Sequence, residues 1–152
     1  MIKNRNFGQS FKCALRGIFV TIKTQRNMRF HLSATVAILI CAGLADIGET
    51  NFLFITIAIA LVISAELINT AIESDVDLST AEYHPFARDA KDIAAGGVLF
   101  AALAAIVIGC VVFFTKGRIV LLLTKIFSSW LYIGLTLIYV IVALIFIFCR
   151  KN

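Results

Sequence analysis

The sequence has little of what soluble catalytic domains usually contain. Of its 152 residues, 15% are charged and one is proline, and no GxxxxGK[ST], GxGxxG, HExxH or CxxC motif occurs. P-loop, Rossmann, zincin and zinc-ribbon sites therefore have no support. The cysteines are also few and far apart, so we expect apolar packing residues rather than a disulfide or a metal site: Cys13, Cys41, Cys110 and Cys149.

Apolar residues are abundant instead. They make up 61% of the chain, and the mean hydropathy is +0.97, well above what a soluble domain of this size shows. Their runs predict four membrane spans, at residues 32–45, 52–72, 93–115 and 130–148. Between the last two, residues 119–129 indicate an interfacial segment. The predicted fold class is an all-α integral membrane protein.

The N-terminal segment, residues 5–27, carries apolar and cationic side chains at helical spacing. This pattern is typical of an amphipathic helix that lies flat in the membrane interface. The basic residues are dispersed, which suits anionic lipid headgroups better than a nucleic acid. We therefore expect the bilayer, and no nucleic acid, as a partner. The chain divides into a membrane domain over residues 1–116 and a C-terminal extension over residues 117–152.

The charge distribution predicts the orientation of the spans. With the N-terminus in the cytoplasm, eleven basic residues face that side: Lys3, Arg5, Lys12, Arg16, Lys23, Arg26, Arg29, Arg88, Lys91, Arg150 and Lys151. Three face outward: Lys116, Arg118 and Lys125. Because basic residues favour the cytoplasmic side, we expect a multipass protein in this orientation, although the three outward residues argue mildly against it.

Four polar residues follow the second apolar run: Glu66, Asn69, Glu73 and Asp77. At about 100° per residue they fall within roughly a quarter of the helix circumference. Carboxylates at membrane depth are costly, so a functional site is the default hypothesis, and a structural polar seam between helices is the alternative. The deeper Glu66 is placed to act as a general base, and Glu73, nearer water, to hold Mg²⁺. Asn69 could orient either partner.

A second polar cluster, ARDAKDIAAGG from Ala87, opens the third predicted span. The polar residues 74–92 include Pro85, so we expect a loop there. Lys91 could neutralise a transferring phosphoryl group, and Asp92 could position a nucleotide hydroxyl or Lys91 itself. Taken alone, the two charges would more often be snorkelling side chains at a helix end.

Together, ELINTAIESDVDL and HPFARDAKDIAAGGVL resemble the bacterial membrane-integral diacylglycerol kinase and undecaprenol kinase family. Weaker similarity extends back through SFKCALRGI and RNMRFH, so the resemblance covers about residues 7–115. The resemblance implies an inner-membrane homotrimer, with a surface helix and three spans per protomer. Its composite sites would use ATP and Mg²⁺ to phosphorylate a lipid alcohol. The resemblance also implies residue roles, namely the base at Glu66, a nucleotide and metal site at Asn69 and Glu73, support from Asp77, and phosphate and nucleotide contacts from Lys91 and Asp92.

The chain departs from the family at Gln25, where the surface helix usually carries a glutamate as a second magnesium ligand. An amide oxygen can coordinate Mg²⁺, but the loss of a formal charge should weaken binding. The RNMRFH and INTAIE segments are closer to the Gram-positive branch, so undecaprenol ranks ahead of diacylglycerol as the acceptor. Two alternatives stay open, a catalytically weakened regulator that binds nucleotide or lipid and a small transporter. A site at one membrane face argues against the transporter.

Overall fold

A computed structural model describes residues 6–79 and 84–149 of the chain. In these residues the α-helices are α1 (Phe7–Thr24), α2 (Arg26–Ala45), α3 (Glu49–Ser79), α4 (Pro85–Phe114), α5 (Arg118–Phe127) and α6 (Trp130–Phe148). A short 3-10 turn, Thr115–Gly117, separates α4 from α5. The described residues contain no strand, which confirms the all-α class.

Four described stretches are long and apolar enough to cross a membrane: Arg26–Ala45, Glu49–Ser79, Pro85–Phe127 and Trp130–Phe148. The protein is therefore an integral membrane protein, as the apolar runs predict. The third stretch breaks at Lys116 and Gly117, where φ is positive. With 31 residues, α3 is about 46 Å long and exceeds the roughly 30 Å of a hydrocarbon core. One end of α3 must therefore extend into the aqueous interface.

The N-terminal helix α1 is shorter than the predicted residues 5–27. It ends at Thr24 because Gln25 is extended, with φ −101° and ψ 119°, and α2 begins immediately at Arg26. The large apolar side chains of α1 are exposed in the protomer: Phe7, Phe11, Leu15, Ile18 and Phe19. A helix whose apolar face contacts lipid leaves such residues uncovered.

The predicted loop over residues 74–92 is wrong in extent. The helix α3 continues to Ser79 and α4 begins at Pro85, because no proline or glycine interrupts residues 74–79 and proline is tolerated in the first turn of a helix. The helix that carries the third predicted span accordingly begins before residue 93. Residues 1–5, 80–83 and 150–152 lie outside the described part. They include four of the basic residues counted in the predicted topology: Lys3, Arg5, Arg150 and Lys151.

The α5 part of the extension packs on the membrane end opposite the polar stripe of α3, which is Glu66, Asn69, Glu73 and Asp77. A buried apolar cluster there joins the α2–α3 turn, α4 and α5: Ala42, Ala45, Ile47, Ile55, Val112 and Leu122. Beside it, Arg118 Nη2 lies 3.2 Å from the Ile47 carbonyl oxygen, and Lys125 Nζ lies 2.6 Å from the Leu44 carbonyl oxygen. The last carbonyls of a helix carry partial negative charge, so Lys125 stabilises the end of α2, and Arg118 holds the turn that follows it.

We expect Leu122→Ala to loosen the extension. Leu122 is 4% exposed, whereas its neighbour Leu123 is 48% exposed. Removing the buried side chain should lower the free energy of unfolding by about 2 kcal/mol, and the same change at Leu123 should have little effect. Denaturant unfolding in detergent micelles, followed by circular dichroism, measures the difference. Equal losses in the two variants would contradict the packing of α5.

Candidate active site

The polar stripe lies where α3 leaves the hydrocarbon. A helix crosses the core with about 20 residues, so a span that begins near Glu49 reaches the far boundary near Asn69. Exposure to solvent increases along α3 in the same direction. Glu66 is 1% exposed, whereas the Asp77 side chain is 67% exposed. The buried Thr70 hydroxyl donates to the Glu66 carbonyl at 2.8 Å. The stripe thus begins with an enclosed carboxylate and ends with a solvated one.

Gln25, at the break between α1 and α2, meets the stripe on α3. Its Nε2 donates to Glu73 Oε2 at 3.4 Å, and Asn69 Nδ2 donates to Glu73 Oε1 at 2.9 Å. Each oxygen of the Glu73 carboxylate therefore accepts an N–H from an amide. The predicted metal and nucleotide residues Gln25, Asn69 and Glu73 come together in this way, although Gln25 is 48 residues before Glu73 in the chain.

Two buried oxygens of the site, Glu66 Oε2 and Asn69 Oδ1, have no hydrogen-bond partner among the described residues. Buried polar atoms are normally paired, so these acceptors require a donor or a cation. Oxygen atoms are also the ligands that Mg²⁺ takes in proteins. In the part of the chain that the structure describes, no three His, Cys, Asp or Glu side chains form a metal-binding group. The unpaired Asn69 oxygen, on the amide that contacts Glu73, is therefore available to a cation that phosphates and water also coordinate, and Glu66 Oε2 is available to a proton donor.

Asp77 and Lys91 join α3 to α4 through an ion pair. Asp77 lies one turn beyond Glu73 on the same face of α3, so Lys91 is held next to the stripe. Asp92 pairs instead with Arg88 of its own helix, at 3.5 Å, and its side chain is largely exposed. Of the predicted phosphate and nucleotide contacts, the structure brings Asp77 and Lys91 together and places Asp92 in a separate pair.

An apolar groove of about 470 Å³ runs between α2, α3, α4 and α5. Its α3 wall includes Val62, one turn before Glu66 on the same face of the helix. Its α2 wall includes Phe30, and α5 contributes Leu122. The groove can accommodate an apolar chain between α2 and α4, and Val62 is the lining residue of α3 nearest to Glu66 in the chain.

Two residues near the site, Arg29 and Arg88, are predicted from the sequence only as topological charges. Arg29 is buried, and its guanidinium donates to backbone carbonyls of α1 and α6. The sequence does contain a signal for this role, which is the position of Arg29 four residues after Gln25 and directly before an apolar run. A cation at that position requires hydrogen-bond or ion-pair partners. For Arg88, the i,i+4 spacing to Asp92 is the signal.

Most of the chain matches a known family. A family model described as prokaryotic diacylglycerol kinase matches residues 12–113 and ends before α5. The undecaprenol kinase of Bacillus subtilis is 44% identical over 110 residues, which are 72% of this chain and 89% of that protein. The diacylglycerol kinase of Synechocystis sp. is 42% identical over 101 residues, which are 66% of this chain and 58% of that protein.

A more distant relative is the diacylglycerol kinase of Escherichia coli K12, which is 32% identical over 79 residues, or 50% of this chain and 65% of that protein. No solved structure matches the chain significantly. The family model nevertheless covers well over half of the residues, including the stripe on α3 and the polar start of α4. The chain therefore belongs to the prokaryotic diacylglycerol kinase family.

Proposed function

We propose that the protein is a lipid kinase that uses ATP and Mg²⁺ to phosphorylate the hydroxyl group of a membrane lipid alcohol. The observation that carries this proposal is the Glu66 carboxylate. It is buried, one of its oxygens has no partner among the described residues, and an apolar groove begins one turn away on the same helix face. Membership of a kinase family supports phosphoryl transfer as the reaction.

Glu66 is the general base in this proposal. Its unpaired Oε2 accepts the proton of the lipid hydroxyl while the hydroxyl oxygen forms its bond to the γ-phosphorus of ATP. The bond between that phosphorus and the oxygen that bridges it to the β-phosphate breaks at the same time, and ADP leaves. The groove receives the apolar chain of the same lipid, so the hydroxyl is held at the depth of the carboxylate. The near-complete burial of Glu66 also keeps water away from the base, which favours transfer to the lipid over hydrolysis.

Glu73, Asn69 and Gln25 would hold Mg²⁺ beside the nucleotide phosphates. When bound, the ion would neutralise charge on the phosphoryl group that is transferred. Glu73 offers carboxylate oxygens, and each amide has an oxygen as well as the N–H that it donates to Glu73. The two amides therefore keep the carboxylate paired and oriented before any cation arrives.

Lys91 is the proposed phosphate contact. An ammonium group stabilises the negative charge that develops on a transferring phosphoryl group. Asp77 holds Lys91 against the aqueous end of the stripe, one turn from Glu73. Asp92 lies one residue further along α4 and is exposed, so its carboxylate is accessible to a nucleotide hydroxyl.

Undecaprenol is the proposed acceptor, and diacylglycerol is the alternative. The Bacillus subtilis relative named undecaprenol kinase is matched over 89% of its length, whereas the Synechocystis diacylglycerol kinase is matched over 58%. Both lipids carry a hydroxyl group at the end of long apolar chains, so the same base and groove can serve either.

We also propose a homotrimer in the bacterial inner membrane, with the N-terminus and the site on the cytoplasmic side, where ATP is available. Residues 1–116 would form the kinase domain and residues 117–152 an appended extension. The side chains of Asp77 and Asp92 are more than half exposed. A neighbouring copy could therefore contribute to the open, aqueous end of the site.

We expect Glu66→Gln to abolish phosphoryl transfer, because glutamine keeps the shape of the side chain but cannot take up a proton. The loss in kcat should be at least about 100-fold, the lower end of general-base effects. The assay measures ATP-dependent transfer to undecaprenol and to diacylglycerol, offered separately in mixed micelles. Glu49→Gln, at the other end of α3, is the matched control and should stay active. Full activity of Glu66→Gln would exclude Glu66 as the base.

A weakened regulator of the same fold is the second candidate, and the neutral Gln25 beside Glu73 is the observation that favours it. It predicts binding of nucleotide or lipid without turnover. In the same assay, wild-type protein that transfers nothing to either lipid would support this candidate over the kinase.

We expect Gln25→Glu to lower the Mg²⁺ concentration that gives half-maximal activity, because a second carboxylate beside Glu73 adds charge to the oxygen ligands. The change should be about tenfold, the scale on which single groups near a metal alter its affinity. In EDTA the two carboxylates should repel each other and lower the thermal stability. Gln9→Glu, at the exposed start of α1, is the control. Equal Mg²⁺ dependence in both variants would remove Gln25 from the metal site.

A further inference from the structure

Arg29 lies where α1, α2 and α6 meet. The residue is 8% exposed. Its Nη1 donates to the carbonyls of Ile22 and Lys23, in the last turn of α1, at 3.3 and 3.2 Å. Its Nε and Nη2 donate to the carbonyl of Ile147, in the last turn of α6, at 3.3 and 3.2 Å. One guanidinium group on α2 therefore joins the end of α1 to the end of α6.

The chemistry of helix ends explains this arrangement. The last carbonyls of a helix lack partners within the helix and carry partial negative charge. A guanidinium group stays charged and presents five donors in a planar fork, so it can serve two helix ends at once. Arg29 makes two of its four hydrogen bonds to the extension, which lies beyond the residues that the family model matches.

Two further contacts align α6 with the same face of α2. The Tyr139 hydroxyl donates to the Ser33 carbonyl, and the Arg26 guanidinium lies over the Phe148 ring, 5.9 Å from its centroid. Arg26, Arg29 and Ser33 are spaced i, i+3 and i+7, which places them on one helix face. The end of α6 is thus held against the first turns of α2, directly after Gln25.

Gln25 is the single residue between α1 and α2, so the two helices together determine where its side chain lies. Its N–H donates to the Thr21 carbonyl at 2.8 Å, and its own carbonyl accepts from the Arg29 N–H at 3.5 Å. From this junction its amide reaches Glu73. Arg29 secures the last turn of α1 on one side of Gln25, and α6 in turn secures Arg29.

We propose that the C-terminal extension positions Gln25 in the active site, and that Arg29 is the positioning residue through which it acts. The inference rests on the proposed function, in which Gln25 and Glu73 hold Mg²⁺. When α6 is loosened, Arg29 loses its two hydrogen bonds to Ile147, and the last turn of α1 becomes freer to move. Gln25 then meets Glu73 less often, and the affinity for Mg²⁺ falls.

The test variant is Tyr139→Phe/Phe148→Ala, which removes the Tyr139–Ser33 hydrogen bond and the Phe148–Arg26 contact and leaves the Arg29 and Gln25 side chains unchanged. The matched control is Tyr132→Phe/Phe127→Ala, which makes the same two chemical changes at other residues of the extension. Both full-length proteins are compared with the wild type in lipid nanodiscs. Two variants of Arg29 complete the series. Arg29→Met removes the charge and the hydrogen-bond donors, whereas Arg29→Lys keeps the charge but loses the planar fork of donors. The exchange rates and the Mg²⁺ dependence of Arg29→Lys should therefore lie between those of the wild type and those of Arg29→Met.

Two measurements decide the outcome. Hydrogen exchange of the amides of residues 20–25 should be about fivefold faster in the test variant, the change expected from loss of one ordinary hydrogen bond. The Mg²⁺ concentration for half-maximal activity should rise by a similar factor, with the KM for the lipid unchanged. A purely structural loss would reduce the amount of active protein without moving the Mg²⁺ dependence of the fraction that remains.

Exchange rates in the test variant that equal those of the control would overturn the coupling. Faster exchange with an unchanged Mg²⁺ dependence would also overturn it, because the junction would then be loosened without consequence for Gln25. If the wild type transfers no phosphoryl group to either lipid, the proposed function fails by itself. The exchange comparison still decides in that case whether α6 holds the end of α1.

Discussion

The site depends on one constraint, which is that a carboxylate must be kept at the end of an apolar helix. Glu66 is enclosed by protein at the depth where α3 leaves the hydrocarbon, and the polar residues that follow extend its stripe toward water. The cost of a carboxylate at this depth falls when neighbouring helices and polar groups surround it. An apolar groove between the same helices reaches Val62, one turn before Glu66, so the enclosed carboxylate and the proposed lipid site lie next to each other on α3.

The neutral Gln25 amide has two opposite effects on this site, one in the absence of a cation and one on the binding of a cation. A glutamate there would stand against Glu73 as a second negative charge, and in the absence of a cation the two would repel. The neutral amide instead donates to Glu73, so α1 is attached to α3 without a metal ion. The same neutrality removes a charged ligand from the proposed Mg²⁺ site. We therefore expect Gln25 to order the site in the absence of the ion and to weaken the proposed binding of the ion.

Periodicity and hydropathy predict the parts of this fold that are repeated along the chain. The apolar runs indicate the spans, and helical spacing alone is enough to place Glu66, Asn69, Glu73 and Asp77 on one face. The predicted loop over residues 74–92 is too long, because polar composition shows where a helix leaves the lipid but does not show where the helix ends. The pairing of Asp92 with Arg88 follows i,i+4 spacing and could have been predicted.

The contacts of the extension could not be predicted in the same way, because their acceptors are backbone carbonyls. Arg29, Arg118 and Lys125 each donate to the end of a helix or to the turn after it, and a carbonyl carries no residue identity that a sequence could show. Two of these cations, Arg118 and Lys125, are on the predicted outer side, where basic residues are less common. Their hydrogen bonds to the end of α2 and to the turn after it explain this position. Contacts of this kind constrain the length and register of α6 more than its sequence, since any apolar helix presents a carbonyl at the place of Ile147. The extension can therefore diverge in its other apolar residues and still hold Arg29, provided that α6 keeps Tyr139, Phe148 and the number of residues that brings its last turn to α2.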